Sequence, residues 1–144
     1  MSNATAPKVD DCSNIGATLK TLYSVISGPA GQKRDWDRYR SLFLPEAHSV
    51  LAIVKPGEAP RARVLDVEGY IRRTDPFFQT QNFWEIETQR VTETIGNMAH
   101  VLSYYESRRE EHGEAFTRGA NSIQMFFDGT RWWIASVMWN TTME

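Results

Sequence analysis

Apolar residues recur at Ile15, Leu19, Leu22 and Ile26 with spacing i, i+4, i+7 and i+11, and this single stripe predicts an amphipathic helix over 10–27. Gly28 can adopt the backbone conformation that ends a helix, and Pro29 bars continuation. A second helix is predicted to open at Asp35, whose short carboxylate can accept first-turn amides, with Trp36, Tyr39, Leu42 and Phe43 on its apolar face and Pro45 as its end. The β-branched run 49–54 predicts a strand, and the Pro- and Gly-rich segment 55–60 a loop. Asp66 is placed to cap a short third helix, with Leu65 stapled onto Tyr70 and an end before Pro76.

Beyond residue 83 the pattern turns to long strand-like runs. The runs 83–95 and 98–109 flank Gly96-Asn97, a two-residue hairpin signal, and 115–127 and 131–142 are joined through Asp128-Gly129-Thr130. The predicted order is helix, helix, strand, helix, then four antiparallel strands. There is no repeat and no linker, so 10–144 is expected to form one domain after a flexible N-terminus at 1–9, whose Met-Ser-Asn-Ala start resembles an expression-vector remnant.

That order, with Asp35-Trp-x-Arg-Tyr-x-x-Leu-Phe43 before the first strand and Asp128-Gly-Thr-Arg-Trp-Trp-Ile134 near the end, resembles the nuclear transport factor 2-like superfamily, in its SnoaL-like and ketosteroid isomerase-like branch. The resemblance covers the chain from about Asp10 to Asn140. It implies an α+β fold in which a cone-shaped, bent antiparallel sheet wraps three N-terminal helices and leaves an internal pocket. Members range from isomerases and dehydratases to non-catalytic binding and transport modules, so the resemblance implies no single activity.

The hairpin signal allows a register to be written. Gly96-Asn97 as a two-residue turn pairs Thr94 with Ala99, Thr92 with Val101, Arg90 with Ser103 and Thr88 with Tyr105. Carried through the next hairpins, one face holds Trp84, Ile86, Arg90, Ser103, Tyr105, Arg118, Ser122, Gln124, Trp132, Ile134 and Asn140. The other holds Leu102, Tyr104, Ile123, Met125, Phe127, Trp133, Val137 and Trp139, with Glu85, Glu87, His100 and Glu106. Trp132 and Ile134 match core positions of the resembled superfamily, which turns the first face inward. The pocket is then expected to be polar and cationic, lined by Arg90, Tyr105, Arg118, Ser122, Gln124 and Asn140, with Trp36 as part of an aromatic wall. The second face is apolar enough to be expected to meet a second copy of the chain, as a homodimer. A bulge would exchange the two sets from that point on, and the opposition of Glu87 and Glu106 is a flaw in this register.

Candidate chemistry follows from those positions. Arg90 and Arg118, if they converge, could clamp a carboxylate or phosphate bidentately; the alternative is that each pairs with a carboxylate of the chain, such as Asp35 or Asp37. His48, near where the resembled isomerases carry their catalytic carboxylate, could act as a general base, or could be structural. Leu51 stands at that carboxylate's position, which argues against the isomerase reaction. Tyr23, placed by the resemblance where those isomerases have an oxyanion-hole tyrosine, could donate to a ligand oxygen, or could be an interior phenol. The expected function is binding of a small, acidic organic molecule in the cone; the alternative is an enzyme using His48 and Tyr23 for proton transfer.

Composition narrows the classes. The chain has 144 residues and a formal charge of −2, so no basic surplus points to nucleic acid. No apolar run approaches the length of a membrane span. The three histidines and the single Cys12 lack metal-ligand spacing, and no metal or cofactor is expected. Compartment is not legible.

Overall fold

The computed structural model describes residues 10–141; the flexible segment expected at 1–9 lies outside them, as do residues 142–144. Helix α1 (Ile15–Ile26) is capped by the Asn14 side chain, which accepts from the Ala17 amide, and buries Leu19, Leu22 and Ile26 as the spacing predicts. The helix thus begins with the apolar stripe at Ile15, later than the residue 10 expected. After α1 the chain turns sharply, and the guanidinium of Arg34 holds that corner. Arg34 is only 2% exposed and donates to the carbonyls of Ile26, Gly28, Pro29 and Gln32 while its head lies 4.5 Å from the centre of the Phe78 ring. One side chain thus gathers four corner carbonyls, of which Gly28 and Pro29 also accept from the Phe83 and Gln32 amides.

Helix α2 (Trp36–Arg40) opens as predicted, with Asp35 accepting from the Arg38 amide. It is shorter than expected. Phe43 already belongs to strand β1 (Phe43–Ile53), and Pro45 lies within that strand rather than ending a helix. Proline is tolerated there because pairing with the neighbouring strand is interrupted between Phe43 and His48, and no ladder amide is needed at 45. Strand β2 (Arg61–Asp66) was not expected. Its exposed, charged sequence carries no burial pattern, and it is a strand because it pairs with β1 at the sheet edge. Asp66 caps α3 (Val67–Thr80) as predicted, but the helix runs through Pro76. The packing of Phe78 against Trp36 and Phe83 offsets the hydrogen bond that Pro76 cannot donate.

Strands β3 (Trp84–Ile95), β4 (Met98–Arg108), β5 (Ala115–Phe127) and β6 (Trp132–Thr141) complete one curled, unclosed sheet of six strands in the order β2-β1-β6-β5-β4-β3. The fold class is the expected α+β cone. The sheet is mixed rather than wholly antiparallel, because β1 runs parallel to β6. Its concave face meets the helices through Ala99, Val101, Ile123, Met125, Ile134 and Val137, which pack with the α1 stripe in a single core. Each such side chain contributes about 1.5–3 kcal/mol of burial.

Candidate functional site

Three irregularities decide which side chains enter the cone. The β3–β4 hairpin keeps the predicted pairs from Thr94 with Ala99 to Arg90 with Ser103, and then Thr88 is left over as a bulge. Glu87 therefore faces Tyr105, Glu85 faces Ser107, and the feared opposition of Glu87 and Glu106 does not occur. The β4–β5 pairing sets Ser103 against Asn121 and Tyr105 against Gly119, one residue out of the expected phase. A further bulge, between Ile134 and Ser136, leaves Trp132 and Ile134 inward as predicted while Ser136, Met138 and Asn140 turn outward.

The inward set surrounds a cavity of about 290 Å³ between the helices and the sheet. Leu22, Ile26, Phe77, Phe83, Phe116, Val137 and Trp139 give it apolar and aromatic walls. Its polar groups are Glu85, Asn121, the phenols of Tyr39, Tyr70 and Tyr105, the hydroxyl residues Ser49, Ser107, Thr117 and Thr141, and at the side Arg109, whose guanidinium lies 3.9 Å from the centre of the Phe116 ring. Gly119 gives Tyr105 its place, because a Cβ there would strike the phenol and the Asn140 carbonyl. Glu85 is the carboxylate that lines this cavity, and it also borders a wider groove of about 760 Å³ between α1 and β3.

Burial raises the Glu85 carboxyl to about 7, against which a hydrogen bond from Asn121 acts to lower it. Around it, burial raises Tyr23, Tyr39, Tyr70 and Tyr105 above the ordinary phenol range, and the Glu85 charge adds to each shift. These phenols are hydrogen-bond donors at neutral pH. A carboxyl poised near neutrality beside donors in an apolar cavity can take or give a proton.

The expected site residues are dispersed. Tyr105 lines the cavity. Arg90 lies at the α1–β3 groove, bound to Glu87 by hydrogen bonds of 2.7–3.2 Å. Arg118 is on the outer face against Glu106 at 3.2 Å, so the two arginines do not converge. Ser122, Gln124 and Asn140 are also on the outer face, since they pair with outward positions of β4 and β6. Trp36 packs on Tyr39 and Phe78 and donates to Asp75, outside the cavity lining. His48, between Asp66 and Ser136 on the outer face, is exposed. Tyr23 is buried, bonded to Ser103 and Asn121, and the fold does not bring it to His48. Nor do Asp35 and Asp37 neutralise Arg90 or Arg118: the first is a helix cap and the second bonds Arg40. Of the face expected to lie outward, Ile123, Met125, Phe127, Val137 and Trp139 are inside, whereas Leu102, Tyr104 and Trp133 are outside.

Sequence reasoning missed Glu85 and Asn121. The Glu87–Glu106 clash was the signal that a bulge intervened. Among the described residues there is no cluster of three or more His, Cys, Asp or Glu placed to hold a metal, and no helix long and apolar enough to cross a membrane.

No protein-family model matches the chain, and no curated protein matches it. Solved structures do. An NTF2-like protein of unknown function from Pseudomonas putida KT2440 superposes with a TM-score of 0.65 at 10% identity, over 90% of this chain and 85% of that one. The protein LinA gives 0.60 at 14% identity over 88% and 85%, and a dehydratase candidate of the NTF2-like family from Streptomyces avermitilis gives 0.60 at 14% over 93% and 97%. With these superpositions and its curled sheet around three helices, the chain has the nuclear transport factor 2-like fold.

Proposed function

We propose that the cone binds an uncharged, ring-sized organic molecule and that Glu85 exchanges a proton with it. The observation that carries this reading is the Glu85 carboxyl, raised to about 7 by burial in a cavity walled by aromatic rings. The cavity is at the lower end of small-molecule sites, which suits one or two rings. The carboxylate could remove a proton beside a carbonyl while Tyr39, Tyr70 and Tyr105 donate to the oxygen that gains charge. This keeps the SnoaL-like alternative of proton transfer and moves its base from His48 to Glu85.

The acidic ligand expected from the sequence drew on Arg90 and Arg118, which are elsewhere. A second reading keeps it on different grounds: Arg109 lines the cavity and could meet the carboxylate of a ring-bearing acid whose ring lies within. Ligand-observed NMR with a bicyclic ketone, tetralone, and a bicyclic acid, naphthoate, separates the two. Tetralone is expected to bind, with affinity falling between about pH 6 and 8 as Glu85 ionises and a charge that needs water is set against the apolar ligand, and Glu85→Gln should abolish that dependence. Tetralone that fails to bind, or binds equally across that range, overturns the neutral-ligand reading. Naphthoate binding lost in Arg109→Ala would establish the second.

We also infer that a second copy of the chain covers the outer face. The support is a row of aligned side chains, Val91, Leu102, Ser122, Met138, Val50 and Val64, that crosses all six strands, with Val91, Met138 and Val64 well exposed.

A further inference from the structure

We propose that Glu87, held by Arg90, positions the acid–base group of the cavity through a chain of buried hydrogen bonds that runs by Ser103, Tyr23 and Asn121 to Glu85. The proposal rests on the reading of Glu85 as the group that meets the ligand. Each link is short. The Ser103 hydroxyl donates to Glu87 Oε2 at 2.5 Å, Tyr23 and Ser103 hydroxyls are 2.6 Å apart, and Asn121 Nδ2 donates to the Tyr23 oxygen at 3.0 Å. Ser103 is wholly buried and Tyr23 and Asn121 nearly so, so water does not compete for these groups.

The direction of the chain follows from its end. A carboxylate engaged by a guanidinium has no proton to give, so Ser103 must donate to Glu87, and its oxygen is left to accept from Tyr23. The Tyr23 oxygen then accepts from Asn121, which orients that amide with its nitrogen toward Tyr23 and its second N–H free to donate to Glu85. The Asn121 bond to Glu85 acts in the sense of a donor, stabilising the ionised carboxylate. No proton travels along the chain, because the amide interrupts it. What it transmits is orientation. Its outer end, Glu87 and Arg90, borders the groove between α1 and β3, whereas its inner end borders the cavity.

The groups around Glu85 leave a clear readout. Phenols face it from α1 (Tyr23), α2 (Tyr39), α3 (Tyr70) and β4 (Tyr105), all held neutral. The charged neighbours lining its two cavities are Lys20, Arg90 and Arg109 with Glu87 and Glu111.

The test is the titration of Glu85 in the unliganded protein, followed by carboxyl-carbon NMR of glutamate-labelled chains and assigned with Glu85→Gln. Ser103→Ala, Tyr23→Phe and Glu87→Ala each release the Asn121 amide, and each is expected to move the Glu85 midpoint upward by about half a pH unit or more. If Glu87 acts only through space, removing its negative charge lowers the Glu85 midpoint and Ser103→Ala leaves it in place; either result overturns the proposal. Ser103→Ala deletes a single oxygen and keeps the test open should Tyr23→Phe fail to fold. No ligand enters the measurement, so a chain that is absent and a cavity that binds no ketone are separate outcomes.

Discussion

Glu85 shows how a single residue couples folding to pH. Folding raises its carboxyl from the ordinary 4.5 to about 7, so the folded chain holds this proton more tightly than the unfolded chain does. Its contribution to stability is whole below about pH 4.5 and is lost as pH rises through about 7. Glu85→Gln, which cannot ionise, is expected to be more stable than the parent at about pH 8, by up to about 3 kcal/mol, and equal to it near pH 4. Denaturant unfolding at the two pH values measures this, and a constant difference between the chains would contradict a buried carboxyl. Asp128 works in the opposite sense: N–H groups of Trp133, Arg131 and Thr130 hold its carboxyl well below the ordinary range, so its contribution fails only on the acid limb. Using the difference between parent and Glu85→Gln removes that background.

At the scale of elements, the corner between α1 and α2 depends on Arg34. The glycines Gly28 and Gly31 and the intervening Pro29 turn the chain, Gly31 with φ at 81°, and the freed carbonyls converge on one guanidinium. Lysine has the charge but not the planar fork, so Arg34→Lys cannot serve the Ile26 and Gln32 carbonyls together, while Gly28 and Pro29 keep their backbone donors. A loss of about 2–4 kcal/mol is expected in chemical denaturation, and a loss below about 1 kcal/mol would show that water replaces the guanidinium. The sequence marks this corner through its glycines and proline, and leaves its charges Arg34, Asp35, Asp37 and Arg40 as either the corner's scaffold or counter-ions of Arg90 and Arg118; the structure makes them scaffold. Asp35 is the cap; Arg34 is the corner's anchor. The β3 bulge at Thr88 is the other element-scale device, since it alone carries Glu85 and Glu87 into the cone without altering the hairpin turn.

For the whole molecule, the curled sheet leaves an outer face with exposed Ile95, Met98 and Phe126 beside the Val91–Val64 row, and a second copy is expected to cover it. Light scattering at micromolar concentration should read twice the chain mass of 16.5 kDa, and Met138→Glu, in the middle of the row, should return the monomer. A monomeric parent would overturn this. Hydrophobic period, caps and hairpin signals determined by themselves the three helices and the four strands of the meander, because these depend on neighbours within a few residues, whereas the cone and the inward Trp132 and Ile134 were implied by the family resemblance. They could not determine which face of β3 and β5 lines the cavity. A one-residue bulge has almost no local signature, and the loop between β4 and β5 lacks a two-residue turn whose parity could be counted. Since side chains alternate, one unmatched residue in β3 sends Glu85 inward and a one-residue change of phase after β4 sends Arg118 outward, and only the packed sheet, choosing the register that buries Val101, Ile123 and Met125 against α1, decides both.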